Sequence, residues 1–267
     1  MSTRAVIIGI AGRMGRALTR AAAEFPQLTL AGAIASPHSK ALGRDAGELA
    51  GIEPLGLAVS ADLAGALQEA DVAIDFSLPE ASGAHLAACR ASAIPLLIGT
   101  TGLAQALSEA DLAQAAQHIA LLVASNTSLG VTLLTELVRH AAAALPVEFD
   151  VEILETHHRM KRDAPSGTAL TLARAVADAR GIVPAEALAG ARSPRNGPRR
   201  PGEVGFAVVR GGDVVGEHDV RFLGPGEQLV LGHRATDRAI FARGALTAAL
   251  WLARQPAGRY EMRDIFV

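Results

Sequence analysis

Val6-Ile-Ile-Gly9-Ile-Ala-Gly12-Arg-Met-Gly15 is the stretch that decides the fold class of this chain. Its apolar run predicts a strand over Ala5–Gly9, and its glycines predict a tight turn into a helix over Arg16–Phe25. A second apolar strand is predicted over Leu28–Ile34. A strand, a glycine turn, a helix and a second strand form a unit whose two strands lie parallel, joined by a right-handed crossover.

The same alternation continues along the first half of the chain. Further strands are predicted over Val72–Phe76, Pro95–Ile98 and Ile119–Ala124. The predicted helices in this half are Asp62–Ala70, Glu80–Ala91 and Ser108–His118. The polar segment Ala35–Gly56 predicts a loop that contains at most one helical turn. Five strands that alternate with helices indicate an α/β fold with an open, doubly wound sheet.

The pattern changes after Asn126. A long apolar helix, a strand and a further helix are predicted over Gly130–Leu145, Phe149–His157 and Thr168–Ala179. Three strands joined by glycine turns follow, over Gly205–Arg210, Val214–Phe222 and Gln228–Ala235. They indicate a second, α+β domain with a mixed or antiparallel sheet. An apolar helix over Ala239–Ala253 predicts a return to the first domain, so the domains are residues 1–126 with 239–267, and residues 127–238.

Composition excludes several classes of function. The chain has 267 residues, half of them hydrophobic, and a net charge of -2, which gives no general attraction to nucleic acid or to anionic membranes. Aromatic residues make up only 3%, which disfavours a base-stacking surface, and the basic segment Arg192–Arg200 is predicted to be a solvated loop. The apolar stretches are too short to span a membrane, and the N-terminus predicts a strand rather than a secretory signal, so a cytoplasmic protein is expected.

The single cysteine also limits the chemistry. One cysteine forms no disulfide within the chain and provides no cysteine-based zinc site. We therefore expect Cys89 to be a packing residue.

The glycine pattern Gly9-x-x-Gly12-x-x-Gly15 lies where a dinucleotide-binding turn is expected, after the first strand and at the start of a helix. Glycines there allow a pyrophosphate to approach the backbone N–H groups of the helix, and Arg13 can face a phosphate. An ordinary strand-to-helix turn is the alternative. The position within a strand–helix–strand unit favours nucleotide binding.

The end of the second strand bears on the choice of cofactor. An acidic residue about 20 residues after the glycines commonly binds the ribose 2′-hydroxyl of NAD. The stretch Gly32-Ala-Ile-Ala-Ser-Pro-His-Ser-Lys40 contains no acid. Ser36, His38 and Lys40 can instead meet the 2′-phosphate of NADP, or they belong to an unremarkable solvated loop.

Two polar loops follow other predicted strands, Gly99-Thr-Thr-Gly102 and Ala124-Ser-Asn-Thr127. Ligands of open α/β sheets bind at the carboxyl ends of the strands, so these loops are candidates to contact a nicotinamide ring and its ribose. Connecting loops without a ligand are the alternative.

A dense chemical cluster lies at Glu155-Thr-His-His-Arg-Met-Lys-Arg-Asp-Ala-Pro-Ser-Gly-Thr168. Histidine exchanges protons near neutral pH, Lys161 provides a cation, and the Pro-Ser-Gly-Thr sequence predicts a helix start that favours an anion. A structural histidine pair and a metal site are the alternatives, but the sequence near the pair lacks a spaced set of further metal ligands. The cluster therefore predicts acid catalysis on a small anionic substrate, with no metal.

At this point the chain resembles the 4-hydroxy-tetrahydrodipicolinate reductase family, also called dihydrodipicolinate reductase, of the diaminopimelate route to lysine. The resemblance runs nearly end to end. It is carried by the stretch at residues 6–15, Gly99-Thr-Thr-Gly102, Glu155-x-His-His-x-x-Lys-x-Asp-Ala-Pro-Ser-Gly-Thr-Ala169, Gly205-Phe, Gly216-Glu-His-Asp219 and Met262-Arg-Asp264.

The resemblance implies hydride transfer from NADPH or NADH to a cyclic unsaturated dicarboxylate. It implies that His157 is the general acid and that Lys161 assists it, while His158, Lys161, Gly167 and Thr168 bind substrate carboxylate. The residues implied to bind the cofactor are Gly9, Ile10, Ala11, Gly12, Arg13, Met14, Gly99, Thr100, Thr101, Ala124, Ser125, Asn126 and Thr127. Ser36 is added to them as the candidate contact of a 2′-phosphate named above. It further implies a Rossmann-type nucleotide-binding domain and a second domain that binds substrate and assembles a homotetramer through its sheet.

Two positions depart from the family pattern. Many members have an acidic residue where Ala35 stands, so NADPH is the expected preference, and Thr127 replaces a common Phe beside the nicotinamide. Two alternatives stay open at this point: another NAD(P)-dependent dehydrogenase of a small substrate, and a non-catalytic NAD(P)-binding sensor. Neither explains why His157, Lys161 and an anion-binding helix start occur together.

Overall fold

The structure is a computed structural model, and it describes residues 2–182, 188–191, 198–200 and 202–266. The chain divides into two compact units. Unit 1 is Met1–Leu129 with Ala239–Val267, and unit 2 is Gly130–Arg238.

The strands of both units are numbered in chain order. They are β1 (Thr3–Ile8), β2 (Leu28–Ile34), β3 (Val59–Ser60), β4 (Val72–Asp75), β5 (Leu96–Ile98), β6 (Ala120–Val123), β7 (Asp150–His157), β8 (Leu188–Ala191), β9 (Val204–Arg210), β10 (Gly216–Gly224), β11 (Glu227–Ala235) and β12 (Gly258–Tyr260).

The α-helices are numbered in the same way. They are α1 (Arg13–Ala22), α2 (Ala46–Ala50), α3 (Leu63–Leu67), α4 (Pro79–Ala91), α5 (Glu109–Ala116), α6 (Leu129–Ala144), α7 (Gly167–Ala179) and α8 (Ala239–Leu252). Short 3₁₀ helices lie at Leu103–Gln105 and Met262–Phe266.

Unit 1 is built on a seven-stranded sheet in the order β12-β6-β5-β4-β1-β2-β3. Every neighbouring pair is parallel. Alternate residues of β1 face opposite sides, as the strand period requires. Ala5 and Ile7 pack in a core with α1 and α8, whereas Val6 and Ile8 pack in a core with α3, α4 and α5. Helices on both faces of a parallel sheet confirm the predicted doubly wound, Rossmann-type fold.

Unit 2 is built on a five-stranded mixed sheet in the order β11-β10-β7-β9-β8. β7 pairs antiparallel with β10 and parallel with β9. The side chains of Val151 and Ile153 on β7 pack in one core with apolar residues of α6 and α7. This confirms the predicted α+β architecture with a mixed sheet.

Several element bounds differ from the prediction. Three short edge strands, β3, β8 and β12, were not predicted. Each has only two to four residues and pairs with one neighbouring strand. α1 begins three residues before the predicted start, because Gly12 already takes the extended conformation of a helix cap. Cys89 is buried, and burial together with the charge of Asp75 raises the pKa of its thiol to about 12, consistent with a packing role.

The basic segment predicted as a solvated loop is only partly covered. Residues 192–197 lie outside the described part of the chain. Arg199 is described, and it is not simply solvated: its Nε lies 2.8 Å from Asp150 Oδ1, and its Nη1 donates to Glu152. Among the described residues, no helix combines the length and the apolar character that crossing a membrane requires.

Candidate active site

One face of β7 carries two buried polar side chains, Glu155 and His157. Its residues alternate between buried and partly exposed, so Val151, Ile153, Glu155 and His157 lie on the buried face. The first two belong to the apolar core. The last two place a carboxylate and an imidazole side by side where the apolar pattern would otherwise continue.

Pairing with the two neighbouring strands adds a cation and a second histidine. Arg210, at the end of β9, lies opposite His157, and His218 of β10 lies opposite Glu155. The rings of His157 and His218 meet edge to face with their centroids 5.1 Å apart. The strand register therefore assembles one cluster from three separate segments of sequence.

Glu155 is the centre of the hydrogen bonding in this cluster. Its fully buried carboxylate accepts hydrogen bonds from Arg210 Nη1 at 2.9 Å, from Arg210 Nη2 at 2.8 Å and from the backbone N–H of Ser166 at 2.9 Å. His157 donates to the same carboxylate through Nδ1. Because Nδ1 is engaged by an ionised acceptor, Nε2 is the nitrogen of His157 that remains for a substrate.

Gly216 keeps that nitrogen accessible. A side chain at this position of β10 would begin 3.0 Å from Nε2 of His157 and would cover it. The His157 side chain itself is 10% exposed, so the imidazole is mostly enclosed but open on one side.

Burial and nearby charges set the proton affinities of the cluster. Burial lowers the pKa of His157, contact with Glu155 raises it, and the charges of Lys161 and Arg210 lower it, so that the pKa is below its ordinary value. Burial alone raises the pKa of Glu155, but hydrogen bonds from Arg210, His157 and Ser166 outweigh burial and the pKa is lowered. Burial lowers the pKa of His218 to about 4. Protonated His157 is therefore a stronger acid than free histidine, beside an ionised Glu155 and a neutral His218.

Lys161 and His158 lie just after His157 in the chain. Lys161 Nζ is 2.7 Å from Asp163 Oδ2, and its side chain is about one-fifth exposed. Nε2 of His158 accepts a hydrogen bond from Arg238 Nη2 at 3.1 Å. Two further side chains, Asp163 and Arg238, thus hold the predicted substrate-binding residues.

The predicted anion-binding helix start adjoins this cluster. Ser166 caps α7, because its Oγ accepts a hydrogen bond from the N–H of Ala169 at 3.1 Å, and the same Oγ is 3.0 Å from Nε2 of His218. Gly167 and Thr168 are the first two residues of the helix, one residue earlier than predicted, and the first turn carries no acidic side chain. The positive end of the helix dipole therefore lies next to Glu155 and His218, the neighbours of His157.

The cofactor residues predicted for unit 1 share one edge of the parallel sheet. The strand register aligns Ile34, Ile8, Asp75, Ile98 and Val123 across five neighbouring strands. The predicted cofactor-binding residues follow these strand ends: Gly9–Gly12, Ser36, Gly99–Thr101 and Ala124–Thr127 lie in the loops, and Arg13 and Met14 begin α1. This is the carboxyl edge of the sheet, where ligands of open α/β folds bind.

The glycine turn between β1 and α1 is tightly packed at two of its glycines. Gly9 has a φ of +84°, and a side chain there would meet the carbonyl of Phe76 at 2.7 Å. A side chain at Gly15 would lie 2.4 Å from the carbonyl of Gly9, so glycine lets α1 pack directly on the turn. The first turn of α1 has no acidic residue. These features leave an open, positively polarised helix end that fits a dinucleotide.

The end of β2 adjoins this turn. The N–H groups of Gly9 and Ile10 both donate to the carbonyl of Ile34, at 2.9 and 3.0 Å. Ala35 is buried, whereas Ser36, His38 and Lys40 are exposed. These three exposed polar side chains therefore lie at the end of β2, next to the glycine turn.

A second carboxylate–histidine pair supports the same edge of the sheet. Asp75 is fully buried, accepts a hydrogen bond from the N–H of Ser77 at 2.8 Å and lies 2.9 Å from His85 Nδ1. Phe76 follows Asp75 in the chain and packs closely on Gly99. A side chain at position 99 would meet the ring of Phe76 at 2.2 Å. The pair holds the loop that separates the glycine turn from Gly99.

Two predicted contact residues have side chains engaged inside unit 1. Thr127 is buried and donates from Oγ1 to the carbonyl of Phe241 on α8 at 2.7 Å. Thr100 is buried and donates to the carbonyl of Ser77 at 3.3 Å. Thr101 and Ser125 are exposed. The hydroxyl hydrogens of Thr127 and Thr100 are therefore already used within unit 1.

Sequence reasoning assigned no role to Glu155, Arg210, His218 or the Asp75–His85 pair. Glu155 had a readable signal, because it precedes His157 by two residues in a predicted strand and so shares its face. Arg210 and His218 had no such signal, because the pattern within one strand does not give its register with the neighbouring strands.

Glu155, His157 and His218 are also of the types that bind metal ions, with one ligand atom of each within 4.8 Å of the others. Both oxygens of Glu155 already accept hydrogen bonds from Arg210. A metal ion would have to displace this guanidinium, so the geometry favours a proton-transfer site.

Comparison with known proteins gives matches over both units. Residues 3–127 match the family described as "Dihydrodipicolinate reductase, N-terminus", and residues 130–266 match "Dihydrodipicolinate reductase, C-terminus". The chain is 49% identical over 263 residues to 4-hydroxy-tetrahydrodipicolinate reductase of Anaeromyxobacter dehalogenans, with 98% of this chain and 97% of the relative covered. It is 49% identical to the enzyme of the same name from Alkalilimnicola ehrlichii, with 99% of each chain covered.

Solved structures agree on the fold. A dipicolinate-bound dihydrodipicolinate reductase from Paenisporosarcina sp. TG-14 matches with a TM-score of 0.76, 24% identity and 98% of each chain covered. An amine dehydrogenase from Mycobacterium smegmatis matches with a TM-score of 0.61 and 16% identity, over 98% of this chain and 96% of its own.

Proposed function

The chain belongs to the dihydrodipicolinate reductase family, and on that premise we propose that His157 and Lys161 carry out its reaction. The enzyme is an NAD(P)H-dependent oxidoreductase that reduces 4-hydroxy-tetrahydrodipicolinate in the diaminopimelate pathway of lysine biosynthesis. The single observation that carries the residue assignment is the buried Glu155–His157 pair beside the start of α7.

His157 is the proton donor in this proposal. Loss of the 4-hydroxyl group as water gives the unsaturated ring, and bound NAD(P)H would supply the hydride that brings two electrons to one carbon of this ring. The neighbouring ring atom gains electron density and takes a proton from Nε2 of His157, which becomes neutral and is recharged from solvent. Glu155 holds Nδ1 and so directs Nε2 outward, towards the space that Gly216 leaves open. The lowered pKa makes His157 a stronger acid, which eases the transfer.

The substrate carboxylates are bound by charge and by helix N–H groups. Lys161 provides an ammonium group, and the ring of His158 is oriented by a hydrogen bond from Arg238. Gly167 and Thr168 open α7, whose positive dipole end attracts an anion. Unit 2 is therefore proposed as the substrate-binding domain, bounded near the predicted residues 127–238.

The cofactor is proposed to bind along the carboxyl edge of the sheet of unit 1, on Gly9–Met14, Ser36, Gly99–Thr101 and Ala124–Thr127. The positive φ of Gly9 and the acid-free start of α1 support this placement. NADPH is the proposed preference, with NADH as a usable alternative, because Ser36, His38 and Lys40 are exposed and the loop has no carboxylate.

A homotetramer assembled through the sheet of unit 2 is proposed as well. Val209 of β9 and Val230 of β11 are exposed by 54% and 44% and lie on the same face of the sheet, where assembly would cover them. Light scattering after size-exclusion chromatography measures the mass of the assembly, and a mass of one chain would contradict the homotetramer.

The proposed location of the protein is the cytoplasm.

The assay that tests the function follows NADPH absorbance in the presence of freshly generated 4-hydroxy-tetrahydrodipicolinate. We expect substrate-dependent oxidation of NADPH, with slower oxidation of NADH. Oxidation with an amino acid or a semialdehyde but not with this dicarboxylate would indicate a different dehydrogenase. Tight NADPH binding without turnover of any of them would indicate a sensor.

A further inference from the structure

Arg210 contacts the groups that hold both proposed catalytic residues. Its Nη1 and Nη2 donate to the two oxygens of Glu155 at 2.9 and 2.8 Å, and Nη2 also donates to the backbone carbonyl of Asp163 at 2.7 Å. Glu155 binds Nδ1 of His157, and the carboxylate of Asp163 binds Nζ of Lys161. One guanidinium therefore connects the supports of the proton donor and of the substrate-binding cation.

We propose that Arg210 is a positioning residue that fixes His157 and Lys161 relative to each other and balances the charge of Glu155. The proposal rests on the roles of His157 and Lys161 proposed above. Arg210 need not contact the substrate, since it acts through Glu155 and Asp163.

The shape of the arginine side chain is central to this role. A guanidinium donates in fixed directions from both terminal nitrogens, so it can bind both oxygens of one carboxylate and a carbonyl together. The Arg210 side chain is 19% exposed and the Glu155 side chain is fully buried, so the pair has little competition from water. A lysine would keep the charge but would lose the paired geometry.

Charge balance is the second part of the role. The charged and titratable groups around His157 are Glu155 on its own strand, Lys161 and Asp163 on the following loop, Arg210 on β9 and His218 on β10. Glu155 favours the imidazolium, whereas Lys161 and Arg210 disfavour it. Without Arg210, the uncompensated carboxylate would hold the proton on His157 more tightly and would make it a weaker acid.

The chain provides a matched control in Arg199. Its side chain is 17% exposed, and it also binds carboxylates of β7, with Nε 2.8 Å from Asp150 Oδ1, Nη1 donating to Glu152 and Nη2 donating to the carbonyl of Val151 at 2.8 Å. Asp150 is at the opposite end of the strand from His157. Arg199→Met therefore removes a comparable ion pair from the same strand without touching the proposed site.

The experiment compares Arg210→Met, Arg210→Lys and Arg199→Met with the wild type by the pH dependence of kcat and by NMR titration of His157. We expect Arg210→Met to lower kcat by about 10²-fold, as for misplaced catalytic groups, and to shift the titration of His157 upward by about one pH unit. Arg210→Lys should lower kcat with a smaller shift, and Arg199→Met should keep both close to wild type.

The outcomes separate this inference from the proposed function. If a folded Arg210→Met keeps the kcat and the His157 titration of the wild type, or if Arg199→Met changes both as much, the positioning role is wrong. If Arg210→Met does not fold, the same criterion applies to Arg210→Lys. A wild type that does not turn over the dicarboxylate would refute the proposed function, while the NMR titration would still test how Arg210 affects His157.

Discussion

Two buried carboxylate–histidine pairs, Asp75–His85 in unit 1 and Glu155–His157 in unit 2, look alike but have different surroundings. Each carboxylate side chain is fully buried, and each contacts Nδ1 of its histidine. Asp75 receives its other hydrogen bond from the backbone N–H of Ser77, two residues away. Glu155 receives two from the guanidinium of Arg210, 55 residues away in sequence.

On the roles proposed above, the difference separates a pair that supports a loop from a pair that takes part in proton transfer. Asp75 and His85 connect the end of β4 to α4 and hold a loop between two close-packed glycines, so they shape the cofactor edge. Glu155 and His157 lie among an arginine, a lysine and a second histidine, whose charges and burial change their proton affinities. A buried carboxylate–histidine pair is therefore not a catalytic pair by itself, because the neighbouring cations decide what the imidazole does.

The largest effect expected from this contrast is on turnover. His157→Ala should lower kcat by about 10²–10⁴-fold, the usual range for loss of a general acid, with little change in the Kd for NADPH. His85→Ala should do the opposite: it should weaken NADPH binding, because the loop beside the glycine turn loses its anchor, while kcat at saturating cofactor changes by less than about tenfold.

Steady-state kinetics and calorimetry on both variants provide the two readouts. Equal losses of kcat in the two variants would remove the distinction between the pairs. An unchanged kcat in His157→Ala would exclude His157 as the proton donor.

The next effect concerns stability in acid. The histidines with a clearly lowered pKa, His157, His218 and His233, all lie in unit 2, and burial is the main cause for each. Below a pH of about 6.5 these histidines bind protons in the unfolded chain but stay neutral in the folded chain. Folding stability therefore falls as the pH falls from about 6.5 towards 4. His218 alone, with its pKa lowered to about 4, accounts for roughly 3 kcal/mol of this change.

We therefore expect unit 2 to lose stability in acid before unit 1 does. Hydrogen exchange, corrected for the intrinsic pH dependence, should show lost protection in β7 and β10 between pH 6.5 and 4. The fluorescence of Trp251, the only tryptophan of the chain, reports unit 1 and should change later. His218→Asn should reduce the acid sensitivity of unit 2. Simultaneous loss in both units, unchanged in this variant, would contradict the expectation.

The smallest effect concerns the choice of cofactor in unit 1. Ala35→Glu places a carboxylate at the end of β2, where it can accept a hydrogen bond from a ribose 2′-hydroxyl and repel a 2′-phosphate. A shift of about tenfold in the ratio of the NADH and NADPH Kd values is expected, or roughly 1.4 kcal/mol. Calorimetric titration of both cofactors measures it, and tighter NADH binding by the wild type would contradict the predicted preference.

The sequence predicted the helices and strands of both units better than it predicted which strands pair with each other. β2 and the body of α4 follow from local patterns, since apolar runs and helix-forming residues act within a few positions. β3 and β12 were not predicted, because two or three residues show no period and form strands only by pairing at an edge.

The candidate site shows the same limit. His157, Lys161 and the start of α7 lie within one stretch, so their proximity was predictable from their spacing. Arg210 and His218 enter the site only through the register of β9 and β10 on β7, which depends on packing across the whole sheet. The family resemblance predicted the reaction. The hydrogen bonds and charges that change the pKa of His157 became visible only in the structure.

The return of the chain to unit 1 after Arg238 has a consequence for the order of folding. Eight of the 14 residues of α8 are buried, in a core shared with strands from the first half of the chain, and β12 completes the edge next to β6. Synthesis proceeds from the N-terminus, so the segment that closes the core of unit 1 leaves the ribosome only after all of unit 2. The larger unit begins first yet is completed last. During translation, part of one apolar face of its sheet, beside α1, stays uncovered while unit 2 already has every residue of its own core.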